Sequence, residues 1–165
     1  MKAIEAIELK EFSVEKLLTQ VAAWKLKGKT VAFTNGCFDI LHEGHIASLS
    51  AAAKEADYLI VGLNSDASVK QLKGDSRPIN NQQSRAILLK NLAVVDAVII
   101  FNEQTPHELI TAILPNVLVK GGDYTTDQIV GAKEVIAAGG RVVINPIVEG
   151  FSTTRTIQQI KAHFS

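Results

Sequence analysis

At 165 residues, with 47% hydrophobic content and four prolines, the chain has the size of one folded domain and too much apolar content for disorder. Lys plus Arg equals Asp plus Glu at 17 each, so no global basic field exists for nucleic acid, and local positive charge must come from a few placed residues. The single Cys37 excludes an internal disulfide and a cysteine-rich zinc site and fits a reducing compartment. Met1 to Glu5 lacks a signal-peptide apolar core, and no apolar run approaches the roughly 20 residues that span a bilayer, so a cytoplasmic protein is expected.

Residues 1–12 are a mixed lead-in. From Ser13, a suitable N-cap, Val14, Leu17, Leu18, Val21 and Trp24 recur at helical spacing, and Gly28 closes the segment. This helix (13–28) buries a stripe either against the core or against a second subunit, which keeps a homodimer open. The remainder (30–164) alternates. Apolar runs at Val31–Phe33, Tyr58–Leu63, Ala97–Phe101, Val117–Val119 and Val142–Ile147 are short and rich in Val and Ile. Helical segments lie between them at Gly44–Ala56, Gln82–Val94, Pro106–Leu114 and Ile129–Ala138. Near-continuous apolar strands separated by helices predict an α/β domain, a doubly wound five-stranded parallel sheet of Rossmann-like type with right-handed crossovers. In such sheets ligands bind beyond the strand C-termini. Gly36–His45, the Asn64-Ser65-Asp66 turn and the Lys120-Gly121-Gly122-Asp123 turn all emerge there.

The stretch from Thr34 through Asn35, Gly36, Cys37, Phe38 and Asp39 to His42, Glu43, Gly44 and His45 reads as strand, tight turn and helix start. A helix start offers unpaired N–H groups and partial positive charge to phosphate. His42 and His45, three residues apart, share one helix face, and Gly44 removes a side chain that would crowd a bound phosphate. Cys37 reads as a small buried filler. The polar interval Lys70–Asn81 carries Lys70, Lys73 and Arg77, and is either a solvated loop or a basic flap over phosphate. Arg85 heads an apolar stripe with Leu88, Leu89 and Leu92, and either reaches the phosphate site or snorkels to solvent. Lys120, Gly122 and Asp123 form a turn that could contact a ligand. In Glu149-Gly150-Phe151-Ser152-Thr153-Thr154, Ser152 or Thr153 is a natural N-cap for a helix carrying Ile157, Ile160 and Phe164. Three successive hydroxyls exceed what a cap needs and could donate to phosphate.

The run Gly36–His45 resembles the signature of the cytidylyltransferase-like nucleotidyltransferases. From Ser13 to Lys161 the chain is similar to the adenylyltransferase domains that make ADP-heptose from heptose 1-phosphate for the lipopolysaccharide inner core. The likeness is carried by Thr34–Asp39, His42–His45, Asn64–Ser68, Leu72-Lys73-Gly74, Arg77-Pro78, Arg85, Val94-Val95-Asp96, Thr105-Pro106, Leu118–Tyr124 and Glu149–Thr154. Many such domains are fused behind a sugar kinase, and no kinase sequence is present here, so a stand-alone form is expected. The resemblance implies that Thr34, Asn35, Phe38, His42, His45 and Ser152-Thr153-Thr154 hold ATP while Lys73 and Arg85 neutralise phosphates. Gly36, Asp39, Gly44, Lys120, Gly122, Asp123, Glu149 and Phe151 complete that nucleotide-binding set. Glycerol-phosphate cytidylyltransferases carry an arginine where this chain has Ile147, which weighs against them. Class I aminoacyl-tRNA synthetases share the histidine motif, but their Lys-Met-Ser-Lys-Ser loop is absent from this sequence.

The expected reaction is attack by a sugar-phosphate oxygen on the α-phosphorus of ATP with loss of pyrophosphate. Catalysis would come from His42, His45, Lys73 and Arg85, with Mg²⁺ carried on the triphosphate by mostly water ligands and no metal ligands from the protein. Asp39 could orient an imidazole or touch the metal shell. ATP and a sugar phosphate are the expected partners, with no nucleic acid and no membrane. Another small phosphorylated acceptor such as glycerol 3-phosphate, a CTP donor, or a non-catalytic nucleotide-binding module stay open as alternatives.

Overall fold

The computed structural model describes residues 9–146 and 150–164. Ile147 and Glu149, and the side chains of Lys161 and Phe164, lie outside the described residues. Five strands, β1 (Val31–Gly36), β2 (Tyr58–Asn64), β3 (Ala97–Phe101), β4 (Val117–Gly121) and β5 (Arg141–Asn145), form one parallel sheet in the order β3-β2-β1-β4-β5. The apolar runs seed the strands, but pairing carries β1 three polar residues further, with Thr34, Asn35 and Gly36 in register with Val61, Gly62 and Leu63. Among the described residues no helix is long and apolar enough to cross a membrane.

Alternation along each strand supplies two cores. Val31, Phe33, Ile60 and Leu118 face one side, and Ala32, Leu59, Val61, Val117 and Val119 the other. The first side is covered by α1 (Val14–Leu26), α5 (His107–Ile113) and α6 (Ala132–Ala137), the second by α2 (Glu43–Ala53) and α4 (Gln82–Lys90). The question left by the first helix is answered inside the domain. Leu17, Val21 and Trp24 are buried against the sheet, Trp24 stacks on Tyr58 at 4.1 Å, and Lys25 donates to the carbonyls of Ile113 (3.0 Å) and Leu114 (2.7 Å). Each such apolar side chain contributes about 1.5–3 kcal/mol on burial. Ser13 caps this helix by accepting from the Lys16 N–H.

Three expectations are corrected. Lys70 to Lys73 are the last turns of an eight-residue helix, α3 (Asp66–Lys73), so the polar loop begins only at Gly74. The helix is set by capping, with Ser65 accepting from the Ser68 N–H, Asp66 in the first turn and Lys70 and Lys73 in the last. On α4 the buried residues are Arg85, Ala86 and Leu89, while Leu88 is exposed and Leu92 lies past the helix end at Asn91. The helix expected from Ile129 begins only at Ala132 as α6, after a 3₁₀ turn at Thr126–Gln128 and with Gly131 at φ 82° as its N-cap. The final helix, α7 (Thr153–Phe164), begins where expected.

Candidate active site

The chain leaves β1 toward β2 on one side and later places β4 on the other, so the crevice opens at the C-terminal ends of β1 and β4. After Gly36 the backbone turns through Cys37 to Leu41 and enters α2 with His42 as its extended N-cap residue. The His42 side chain makes no capping bond, so the first N–H groups of α2 stay free of a side-chain acceptor.

His42 and His45 stack with ring centroids 3.8 Å apart and planes 16° from parallel. Each has a buried Nδ1 without a hydrogen-bond partner. An orphaned buried ring nitrogen costs about 1–3 kcal/mol. Burial pushes His42 below the usual imidazole value; burial, and then the His42 charge, bring His45 down to about 4. Both rings are therefore neutral at neutral pH, and an anion set against them would raise their pKa values. Gly44 lets the parts close up: a Cβ there would lie 3.0 Å from Cβ of Phe151 and 3.2 Å from His42 Nδ1. The Phe151 ring completes the wall, 6.0 Å from the His42 centroid.

The crevice has two lobes. The narrower, about 250 Å³, is lined by Thr34, Asn35, Gly36, Phe38, His42, Gly44, His45, Lys120 and Phe151, all expected from the sequence, together with Ser48, Leu49, Gly121 and Pro146. The wider, about 380 Å³, has Lys73 from α3, Asn64, Gln104, Thr105, Pro106, Tyr124 and Gln128. Asn35, Gly36, Cys37 and Lys120 belong to both and mark the junction. Burial lowers the Lys120 pKa and raises that of the Cys37 thiol, and the Lys120 ammonium sits 5.7 Å from the Tyr124 ring centroid. Ser48 follows His45 by three residues on α2 and so shares its face, a signal present in the sequence. Gln104 and Thr105 follow the end of β3, where strand C-termini direct attention.

Two residues depart from expectation. Arg85 is fully buried and lines neither lobe. Its Nε donates to Asn80 O (2.9 Å), its Nη1 to Cys37 O (2.6 Å) and Asn64 O (2.8 Å), and its Nη2 to the Asp66 carboxylate (2.8 Å). A guanidinium so occupied is a strut joining three backbone carbonyls and a carboxylate rather than a free cation for phosphate. Asp39 is 2% exposed and orients neither imidazole. Its carboxylate accepts from the N–H groups of Ile79 (2.8 Å) and Asn80 (2.9 Å) and pairs with Arg77. Burial opposes its ionisation, but those two N–H groups and Arg77 outweigh it and hold the pKa below the usual carboxylate range.

Gly122, Asp123, Ser152, Thr153 and Thr154 line neither lobe. Ser152 Oγ accepts from the Arg155 N–H, the expected cap, and Thr153 Oγ1 donates to Ile40 O at 3.3 Å, which ties the start of α7 to the histidine turn. Glu149 lies outside the described residues.

The cytidylyltransferase-like family model matches residues 33–159. Among curated relatives, the bifunctional protein HldE of Mesorhizobium japonicum is 58% identical over 86% of this chain and 29% of its own length. HldE of Gluconacetobacter diazotrophicus is 57% identical over 87% of this chain and 30% of its own. The chain thus spans about 30% of the length of the curated relatives it matches. A crystal structure of the lipopolysaccharide core biosynthesis protein from Thermoplasma volcanium superposes with TM-score 0.58 at 29% identity, covering 73% of this chain and 98% of that one. Pantoate-beta-alanine ligase from Francisella tularensis shares the fold, with TM-score 0.63 at 14% identity over 88% of this chain and 71% of that one. The histidine turn, the β1/β4 crevice and a family match over most of the sequence together show that the chain belongs to the cytidylyltransferase-like family.

Proposed function

We propose that the chain transfers the adenylyl group of ATP to a sugar phosphate, heptose 1-phosphate by resemblance to the ADP-heptose-forming domains, and releases pyrophosphate. The observation that carries this reading is the stacked His42–His45 pair, two imidazoles that line one lobe together at the start of α2 and whose Nδ1 atoms are buried without a protein partner. The HldE relatives and the lipopolysaccharide core biosynthesis structure support the acceptor class.

In this reading the narrower lobe takes the triphosphate end of ATP, delivered as its Mg²⁺ complex. The wider lobe takes the acceptor, its hydroxyls met by Gln104, Thr105 and Gln128 and its phosphate by Lys73. The α-phosphorus then lies at the junction beside Lys120. An acceptor phosphate with a second pKa of about 6 is already ionised at neutral pH, so no general base is needed. Its oxygen forms the new bond to the α-phosphorus as the bond to the bridging β-oxygen breaks, and that electron pair leaves with pyrophosphate. His42 and His45 donate to the oxygens that gain charge, and Lys120 neutralises the junction; the rate gain is positioning plus charge stabilisation.

The test is pyrophosphate release with each nucleoside triphosphate against a panel of sugar and polyol phosphates. ATP with heptose 1-phosphate is expected to give the highest kcat/KM. Preference for CTP with glycerol 3-phosphate, or ATP binding without turnover of any acceptor, refutes the assignment.

A further inference from the structure

Phe38 has a φ of 46°, the left-handed region that side chains other than glycine avoid unless their surroundings over-determine it. Its ring is buried and meets His45 edge-on, with centroids 5.3 Å apart and planes at 61°. Gly36 makes the seat, since a Cβ there would lie 2.9 Å from the Phe38 ring. Both chain neighbours of Phe38 are tied down. Before it, the Cys37 carbonyl accepts from Arg85 Nη1 at 2.6 Å. After it, the Asp39 carboxylate accepts from the Ile79 and Asn80 N–H groups, and the Asp39 carbonyl accepts from Asn80 Nδ2 at 2.6 Å. Arg85 Nε donates to the Asn80 carbonyl at 2.9 Å, so Asn80 closes a circuit through Cys37, Arg85 and Asp39.

We propose that Phe38 is a positioning residue for His45, held left-handed by the circuit of Arg85, Asn80 and Asp39, so that α4 and the loop 77–80 set the geometry of the imidazole pair. This deepens the transfer reaction proposed above, in which that pair faces the phosphates. The strain is local and the bonds that hold it come from distant segments, which is the arrangement of a preorganised site rather than of a simple turn. The groups that share the lobe with His45 are His42 on its own helix, Cys37 in the turn and Lys120 from β4. None of them is itself substituted in the variants below, so a change in the behaviour of His45 reports on the ring and its circuit.

The experiment is an NMR titration of the histidine rings in wild type, Phe38→Leu and Asn80→Ala, with kcat and KM for ATP measured in parallel. Phe38→Leu keeps an apolar filler without the aromatic edge, and Asn80→Ala keeps the ring but cuts the bond from Asn80 to the Asp39 carbonyl. In both, the His45 midpoint is expected to rise by about one pH unit as the imidazole gains water. With it, kcat should fall roughly tenfold or more, and in Asn80→Ala, whose site lines neither lobe, KM for ATP should stay within about threefold. Folded variants in which His45 titrates as in wild type overturn the proposal, whether or not activity falls. If Phe38→Leu does not fold, Asn80→Ala decides the matter by the same criterion. The titration needs no turnover, so a wild type inactive toward every sugar phosphate refutes the reaction and still leaves the positioning role to be judged.

Discussion

Replacing Arg85 with methionine separates the two roles that an arginine could have at this point of the chain. Methionine fills much of the same volume but carries no donor, so the carbonyls of Cys37, Asn64 and Asn80 each lose a partner inside the protein. A buried acceptor left dry costs about 1–3 kcal/mol. The Asp66 carboxylate is 36% exposed and rehydrates, so its share is small. The desolvation of a buried guanidinium, which methionine does not incur, offsets part of the loss. The net expectation is a destabilisation of about 3–5 kcal/mol, which for a domain of this size lowers Tm by roughly 6–20 °C. Urea and thermal unfolding followed by circular dichroism measure it, and ATP affinity is taken well below the transition, where it should change by less than about threefold. A variant of wild-type stability whose ATP affinity has dropped by roughly tenfold or more would refute the strut and return Arg85 to the phosphates.

His45→Ala should lower kcat by roughly two orders of magnitude with the fold intact, by analogy with removal of one oxyanion donor; an unchanged rate of pyrophosphate release removes His45 from the mechanism. The same residue shapes the acid limb of stability. Its folded pKa of about 4 lies below the ordinary 6.5, so as pH falls the unfolded chain takes up the proton first. Stability present above pH 6.5 is therefore lost progressively toward pH 4. His45→Phe should flatten that part of the curve of urea midpoint against pH, and parallel curves would contradict the assignment. Lys73→Ala should raise KM for the sugar phosphate roughly tenfold while leaving KM for ATP within about twofold, because Lys73 lines only the wider lobe. A larger effect on ATP would exchange the occupants of the two lobes.

The sheet and the histidine turn were legible because their signals are local. Short Val- and Ile-rich runs bounded by turn residues mark the strands, and His42, Gly44 and His45 sit where a strand hands over to a helix. What escaped the sequence was decided by tertiary partners. An arginine at the head of an apolar stripe must find acceptors, but nothing near it says whether those are phosphate oxygens or the carbonyl of Cys37, 48 residues away. Asp39 meets its partners 40 and 41 residues on, at Ile79 and Asn80. Helix α3 was missed for a different reason: it buries only Ser68 and Val69, so capping had to be read without a stripe to prompt it.

The charge logic of the crevice follows from putting neutral groups where anions are to go. A permanent cation buried beside α2 would carry its desolvation cost in every state of the protein. On the reading proposed above, an imidazole held near a pKa of 4 by burial meets no such cost as a neutral ring, and a polyphosphate set against it would raise that pKa. On that reading, binding against His45 would favour proton uptake. Among the described residues, Arg85 and Arg77 are spent on protein acceptors and Lys73 lies in the other lobe, while Lys120 shares the lobe of His45 and stands at the junction of the two. On the proposed reaction, that junction is where negative charge is shared between the attacking and the departing phosphates. On that reading the Lys120 ammonium acts there on the transition state, beside the neutral imidazole pair.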